Sequence, residues 1–106
     1  MKYDATRKIV EHFGQSTQLD KLVYALLELS LSLNRYYTAP AITQELLDNM
    51  ISDLADVIIL CEQAKYVFTF TNIETVLQSK IMAILKYISD EKRFITKNKS
   101  ANMSIS

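Results

Sequence analysis

The spacing of apolar residues along the chain predicts helices throughout. The first helix is predicted from about Asp4 to Phe13 and ends at Gly14, the only glycine, which suits the left-handed position after a helix. The second is predicted to start after a cap at Ser16-Thr17 and to end near Tyr37. Its mostly apolar stripe recurs at intervals of three and four residues, as one face of a helix does: Leu19, Leu22, Val23, Leu26, Leu29, Ser30 and Leu33.

Two more helices are predicted beyond the break at Pro40, because proline disfavours helical backbone at the residue before it. The third is predicted from about Thr43, a suitable N-cap, to about Phe68. The fourth is predicted from about Ile73 to Lys92, with Asn72 as its cap. Long helices joined by short connections are typical of an all-α bundle, and this is the predicted fold class.

Composition narrows the class of protein. The chain has 106 residues with one glycine and one proline, which favours a single helical domain, predicted at residues 1–93. Residues 94–106 are mostly polar, so a disordered tail is predicted there. The 12 basic residues equal the 12 acidic ones, so no nucleic-acid partner is expected.

The same sequence indicates a cytoplasmic location. The apolar run from Val57 to Cys61 is too short to cross a membrane, so no membrane partner is expected. Cys61 is the only cysteine, which fits a reducing compartment. The first residues lack the apolar core of a signal peptide, so we expect a cytoplasmic protein.

Three carboxylates are the candidate chemistry. Asp53 and Asp56 are three residues apart and therefore share one helix face, and Glu28 lies on the preceding helix. Carboxylates converging from two helices can hold a hard cation such as Mg²⁺. Ala25, three residues before Glu28, offers no ligand where a second pair would be completed. The alternative interpretation is that these acids lie on a solvated helix face.

Several short segments follow one another in a specific order: Phe13-Gly14, Gln18 to Leu22, Glu28-Leu29, Asp53 to Leu60, and Glu62-Gln63. In this order and spacing, the run from Phe13 to Ile88 resembles the MazG-like all-α nucleotide pyrophosphohydrolases, particularly their short phage-type members. The resemblance implies a four-helix bundle completed by homo-oligomerisation, as a homodimer or homotetramer. It also implies Mg²⁺-dependent (Mn²⁺ as a possible substitute) hydrolysis of a nucleoside triphosphate to a monophosphate and pyrophosphate.

The resemblance assigns roles to particular positions. Glu28, Asp53 and Asp56 correspond to catalytic, metal-binding acids, although the position of Asp53 usually carries glutamate. Ala25 stands where the family has another acid, and Tyr24 and Ser52 replace further acids. Lys80 is the candidate phosphate contact. Its alternative interpretation is a residue on the solvated face of the fourth helix.

Two hypotheses about function follow from these matches and departures. The first is an active nucleotide pyrophosphohydrolase, a hydrolase that uses magnesium. The second is a catalytically degenerate phage-type protein that acts by binding. Such a protein sequesters a nucleotide or nucleotide signal, or inhibits a host protein, and it works in the host cytoplasm if it is phage-encoded.

Overall fold

A computed structural model describes the backbone of residues 2–69 and 72–105 and the side chains of residues 4–69 and 72–98. Within those ranges it contains four α-helices and no strand: α1 (Lys2–Phe13), α2 (Gln15–Thr38), α3 (Gln44–Val67) and α4 (Ile73–Ile105). The predicted all-α class is therefore confirmed. Among the described residues, no helix is long and apolar enough to cross a bilayer.

The turn between α1 and α2 is made by a single residue. Gly14 has φ 92°, a conformation that side-chain-bearing residues rarely adopt, and its N–H donates to the Val10 carbonyl at 2.8 Å. The Gly14 carbonyl then accepts from the Gln18 N–H at 3.1 Å, so α2 begins directly after the glycine. The predicted cap at Ser16-Thr17 is therefore wrong, because both residues already lie inside the first turn of α2.

The starts of the later helices agree with the sequence. The Thr43 side chain caps α3 by accepting from the Leu46 N–H at 3.2 Å. Asn72 immediately precedes α4, and its side-chain oxygen accepts from the Thr75 hydroxyl at 2.8 Å. Ala39, just before Pro40, is extended, with φ −66° and ψ 134°.

The predicted end of α4 is wrong. The helix passes Lys92 and continues to Ile105, so residues 94–105 of the predicted disordered tail are helical; Ser106 lies outside the described residues. No glycine or proline lies in this stretch, and its lysine, asparagine and serine residues cost a helix only a fraction of a kcal/mol each.

The structure divides into two units, Met1–Thr69 and Phe70–Ser106. In the first unit α2 packs against α3, and α1 contacts both of them. The α2–α3 pair is antiparallel, since Gln18 near the start of α2 bonds Gln63 near the end of α3, while Ser32, late in α2, bonds Asp53. The second unit contains α4. The MazG-like bundle and its domain limits stay predictions.

Small and polar side chains line the contact between α2 and α3. Gln18, Ala25 and Ser32 are the buried residues of α2, and they recur every seven residues along one line of the helix. Gln18 and Ser32 both reach α3, so Ala25, between them on that line, also faces α3. We call these three residues, with Asp53, Val57 and Gln63 of α3, the α2–α3 seam.

The apolar stripe of α2 lies beside this seam, not in it. Val23, Leu26 and Leu33 are 58%, 47% and 40% exposed, whereas Ala25 is 8% exposed. Small side chains at Ala25 and Ser32 let two helix backbones approach closely, which large leucines in the same line would prevent. The described residues of the first unit therefore bury few large apolar side chains.

The buried glutamine pair gives a test of this packing. Gln18 donates to Gln63, and the two residues are 4% and 3% exposed. Gln63→Leu leaves the Gln18 amide buried without its acceptor, so we expect the free energy of unfolding to fall by about 1–3 kcal/mol. Adding Gln18→Leu removes the stranded group and should bring stability back to within about 1 kcal/mol of the wild type.

Urea-induced unfolding of the four proteins in this cycle measures the coupling between the two glutamines. Gln44→Leu is the matched control, because Gln44 is exposed and bonds Asp48 on the surface at 2.8 Å. It should change stability by less than about 0.5 kcal/mol. A double variant no more stable than Gln63→Leu would contradict the role given to the pair.

Candidate functional site

One end of the seam holds the first candidate acid. Asp53 is half-buried, and its Oδ2 accepts a hydrogen bond from the Ser32 hydroxyl across the two helices. Ser32 is 5% exposed, and Ala25, two turns earlier on the same line of α2, is 8% exposed. The position where the family resemblance places another acid is thus a buried alanine in the contact between the helices.

The other two candidate acids border the seam. Glu28 follows Ala25 by three residues and Asp56 follows Asp53 by three, and both are exposed. Three residues at about 100° each turn a helix by 300°, which is equivalent to about 60° backwards. Because α2 and α3 are antiparallel, the same sense of rotation from the seam leads to the same side of the pair. We call this the acidic side.

Two basic residues of α2 occupy the same side. Lys21 follows Gln18 by three residues, and Arg35 follows Ser32 by three. The Lys21 Nζ lies 3.9 Å from the centroid of the Phe13 ring, a cation–π contact that holds this ammonium group at the end of α1. Along the acidic side of α2, the Glu28 carboxylate therefore lies two turns from Lys21 in one direction and two turns from Arg35 in the other.

A site made of only two carboxylates could hold a cation that brings further ligands with it. Within the described residues, no group of three or more His, Cys, Asp or Glu side chains is placed to hold a metal ion. Mg²⁺ commonly keeps several waters and is held by only one or two carboxylates together with substrate phosphates. Glu28 and Asp56, with their hard oxygen donors, fit that second arrangement in number and in chemistry.

The remaining candidates lie elsewhere. Lys80 is exposed on α4, in the second unit, so it is described apart from the three acids. Tyr24 is 70% exposed and Ser52 is also exposed, so the two residues that replace family acids face solvent. Neither can supply a carboxylate to the acidic side.

The sequence by itself assigns no role to Ser32 or to Lys21. Ser32 is an uncharged residue within an apolar region, and nothing in its immediate sequence shows that it donates to Asp53. The signal that could have revealed it is the seven-residue recurrence of Gln18, Ala25 and Ser32, a line of small or polar residues beside the leucine stripe.

Comparison of the chain with family models, curated proteins and solved structures gave no match. The relation to the MazG-like family therefore stands on the sequence resemblance alone.

Ala25→Glu tests whether the α2 side of the seam, at Ala25, is closed to solvent. A carboxylate at this buried position is desolvated and lies one turn before the like charge of Glu28, so we expect the free energy of unfolding to fall by roughly 2–4 kcal/mol. Ala55→Glu, at an exposed position of α3, is the control and should cost less than about 0.5 kcal/mol.

Thermal unfolding with and without Mg²⁺ completes this test. A cation that binds the folded state raises its stability, but a carboxylate closed off in the seam cannot reach it, so Mg²⁺ should raise the Tm of Ala25→Glu no more than that of the wild type. Equal stability of the Ala25→Glu and Ala55→Glu proteins would contradict the burial of this position.

Proposed function

We propose that this chain is a MazG-like protein that binds a Mg²⁺-loaded nucleoside triphosphate on the acidic side of the α2–α3 pair. The observation that carries the proposal is the common offset of Glu28 and Asp56, each three residues beyond a seam residue on antiparallel helices. The order of motifs along the chain and the all-α fold support the same family.

The proposed roles follow from charge and position. Glu28 and Asp56 hold the cation, and Asp53, bonded to Ser32 in the seam, adds a third negative charge nearby on α3. If Glu28 and Asp56 held Mg²⁺, or Mn²⁺ in its place, the cation would neutralise phosphate charge. Attack of water on phosphorus would then break the α–β phosphoanhydride bond and release a monophosphate and pyrophosphate. Lys21 and Arg35 contact the triphosphate from α2. The role of Lys80, on α4, stays a prediction from the resemblance.

The rate of this hydrolysis depends on how many acids remain. The family pattern calls for acids at the positions of Ala25 and Tyr24, and here neither residue carries a carboxylate. We therefore propose slow release of a monophosphate and pyrophosphate from a triphosphate that is bound well. Such a protein is a weak pyrophosphohydrolase of the cytoplasm.

A second candidate function is favoured by the burial of Ala25. Ala25 packs in the seam and helps to join the two helices, so the position where the family has a metal-binding acid here serves helix packing instead. A phage-type protein of this kind acts by binding alone. It sequesters a nucleotide or nucleotide signal in the host cytoplasm, or it inhibits a host protein.

Nucleotide binding and turnover separate these candidates. We expect a triphosphate to bind in calorimetry only when Mg²⁺ or Mn²⁺ is present, with affinity lowered at least about tenfold by Glu28→Gln or Asp56→Asn, since each removes a charged ligand. Asp20→Asn, which removes an exposed carboxylate elsewhere on α2, should leave affinity unchanged.

Pyrophosphate release by the same proteins gives the second readout. Release by the wild type above the Glu28→Gln background supports the hydrolase, and binding without release supports sequestration. No cation-dependent binding of any NTP or dNTP would overturn the proposed nucleotide site.

Self-association is part of the proposal. Leu26, Leu33, Leu54 and Ile58 each follow a seam residue by one position, a rotation of about 100° that places them on the side opposite the acids. Their exposed fractions are 47%, 40%, 45% and 54%. Large apolar side chains grouped in this way mark an interface, and a second copy burying the same side yields a homodimer or, by pairing of dimers, a homotetramer.

Leu54→Asp tests that interface. A carboxylate buried between two copies of this side is opposed by its symmetry mate, so we expect sedimentation velocity to show a monomer where the wild type shows a dimer or tetramer. Leu27→Asp is the control, because Leu27 is 58% exposed but lies away from both sides of the pair. A wild type that sediments as a monomer at high protein concentration would overturn the proposal that the chain self-associates.

A further inference from the structure

Ser32 uses its hydroxyl differently from Ser30 and Thr38 of the same helix. A serine or threonine inside a helix commonly bonds the carbonyl four residues earlier, as Ser30 does with Leu26 at 2.9 Å and Thr38 with Asn34 at 2.8 Å. The Ser32 hydroxyl instead donates across the seam to Asp53 on α3. At 5% exposure, this donor is shielded from competing water.

The bond determines where the Asp53 carboxylate lies. It uses one of the two carboxylate oxygens and ties the group to α2 one turn after Glu28, the acid of the same helix. Aspartate has one methylene fewer than the glutamate that the family resemblance expects here. The hydrogen bond to Ser32 holds the shorter side chain toward α2, and this placement makes up for the missing methylene.

We infer that Ser32 is a positioning residue, which fixes one rotamer of Asp53 and holds its carboxylate at α2, one turn after Glu28. The inference rests on the proposed function for its consequence in ligand binding. The fixed rotamer itself is a property of the protein without ligand. Ser32 therefore touches neither nucleotide nor cation and acts through Asp53.

The rotamer is measured directly by NMR, from the three-bond couplings that report χ1 of Asp53 in the ligand-free protein. Wild type should show the couplings of one rotamer, and Ser32→Ala should show averaged couplings. Ser32→Thr retains a hydroxyl and should restore the single rotamer. Ser30→Ala removes a hydroxyl of the same helix that bonds only its own backbone, and it should leave Asp53 unchanged.

Asp53→Asn provides a second route that does not alter the packing volume of the seam. Its side-chain oxygen still accepts from Ser32, so the residue should keep one rotamer, while loss of the charge should weaken binding of Mg²⁺-ATP. Ser32→Ala keeps the charge but frees the rotamer, and it should weaken the same binding by about three- to tenfold, the worth of one hydrogen bond. Magnesium-free ATP is the reference ligand for both variants.

The two readouts separate the two proposals. Averaged Asp53 couplings in the wild type, or identical couplings in wild type and Ser32→Ala, would overturn the positioning role whatever the nucleotide results. A single rotamer that is lost in Ser32→Ala and restored in Ser32→Thr supports it, even if wild type binds no Mg²⁺-ATP. That last result would overturn the proposed nucleotide site and leave Ser32 as the residue that orients Asp53.

Discussion

The antiparallel contact between α2 and α3 is the interaction on which the rest of the first unit depends. Its specificity comes from two polar pairs, Gln18 with Gln63 and Ser32 with Asp53, spaced along a line of small side chains. Buried polar groups tolerate few alternative partners, because sliding one helix along the other would strand each of them without a hydrogen bond. The pairs therefore set the register of the two helices, and the register determines which acids become neighbours.

That register divides the helix pair into two chemical surfaces. Around Ala25, Ser32 and Asp53, the residues three positions further along are charged, whereas the residues one position further along are leucines. A nucleotide site on one side and self-association on the other are thus compatible proposals, since they require different faces of the same two helices. Association through the apolar side would leave the acids open to solvent.

Local sequence signals determined much of the fold. Thr43 and Asn72 precede α3 and α4 as their chemistry predicts, and scarcity of glycine and proline agrees with an all-α chain. The end of α4 was predicted too early. The polar residues after Phe94 suggest little packing, but none of them breaks a helix. The buried line of α2 was missed because hydrophobic periodicity ranks leucines above alanine and serine, whereas close helix approach favours the small residues. Glu28, Asp53 and Asp56 could be chosen from sequence, but the hydrogen bond that orients Asp53 depends on the register of two helices.

The offsets from the seam carry an evolutionary consequence. Substitution can remove an acid, as at Ala25, while each remaining side chain keeps its direction. Insertion or deletion of one residue within α2 would rotate everything beyond it by about 100° and carry the charged residues off the acidic side. Lineages of this chain should therefore vary in length between Thr38 and Gln44, in the connection outside both helices, and conserve the length of α2 from Gln18 to Ser32 even where its chemistry is lost.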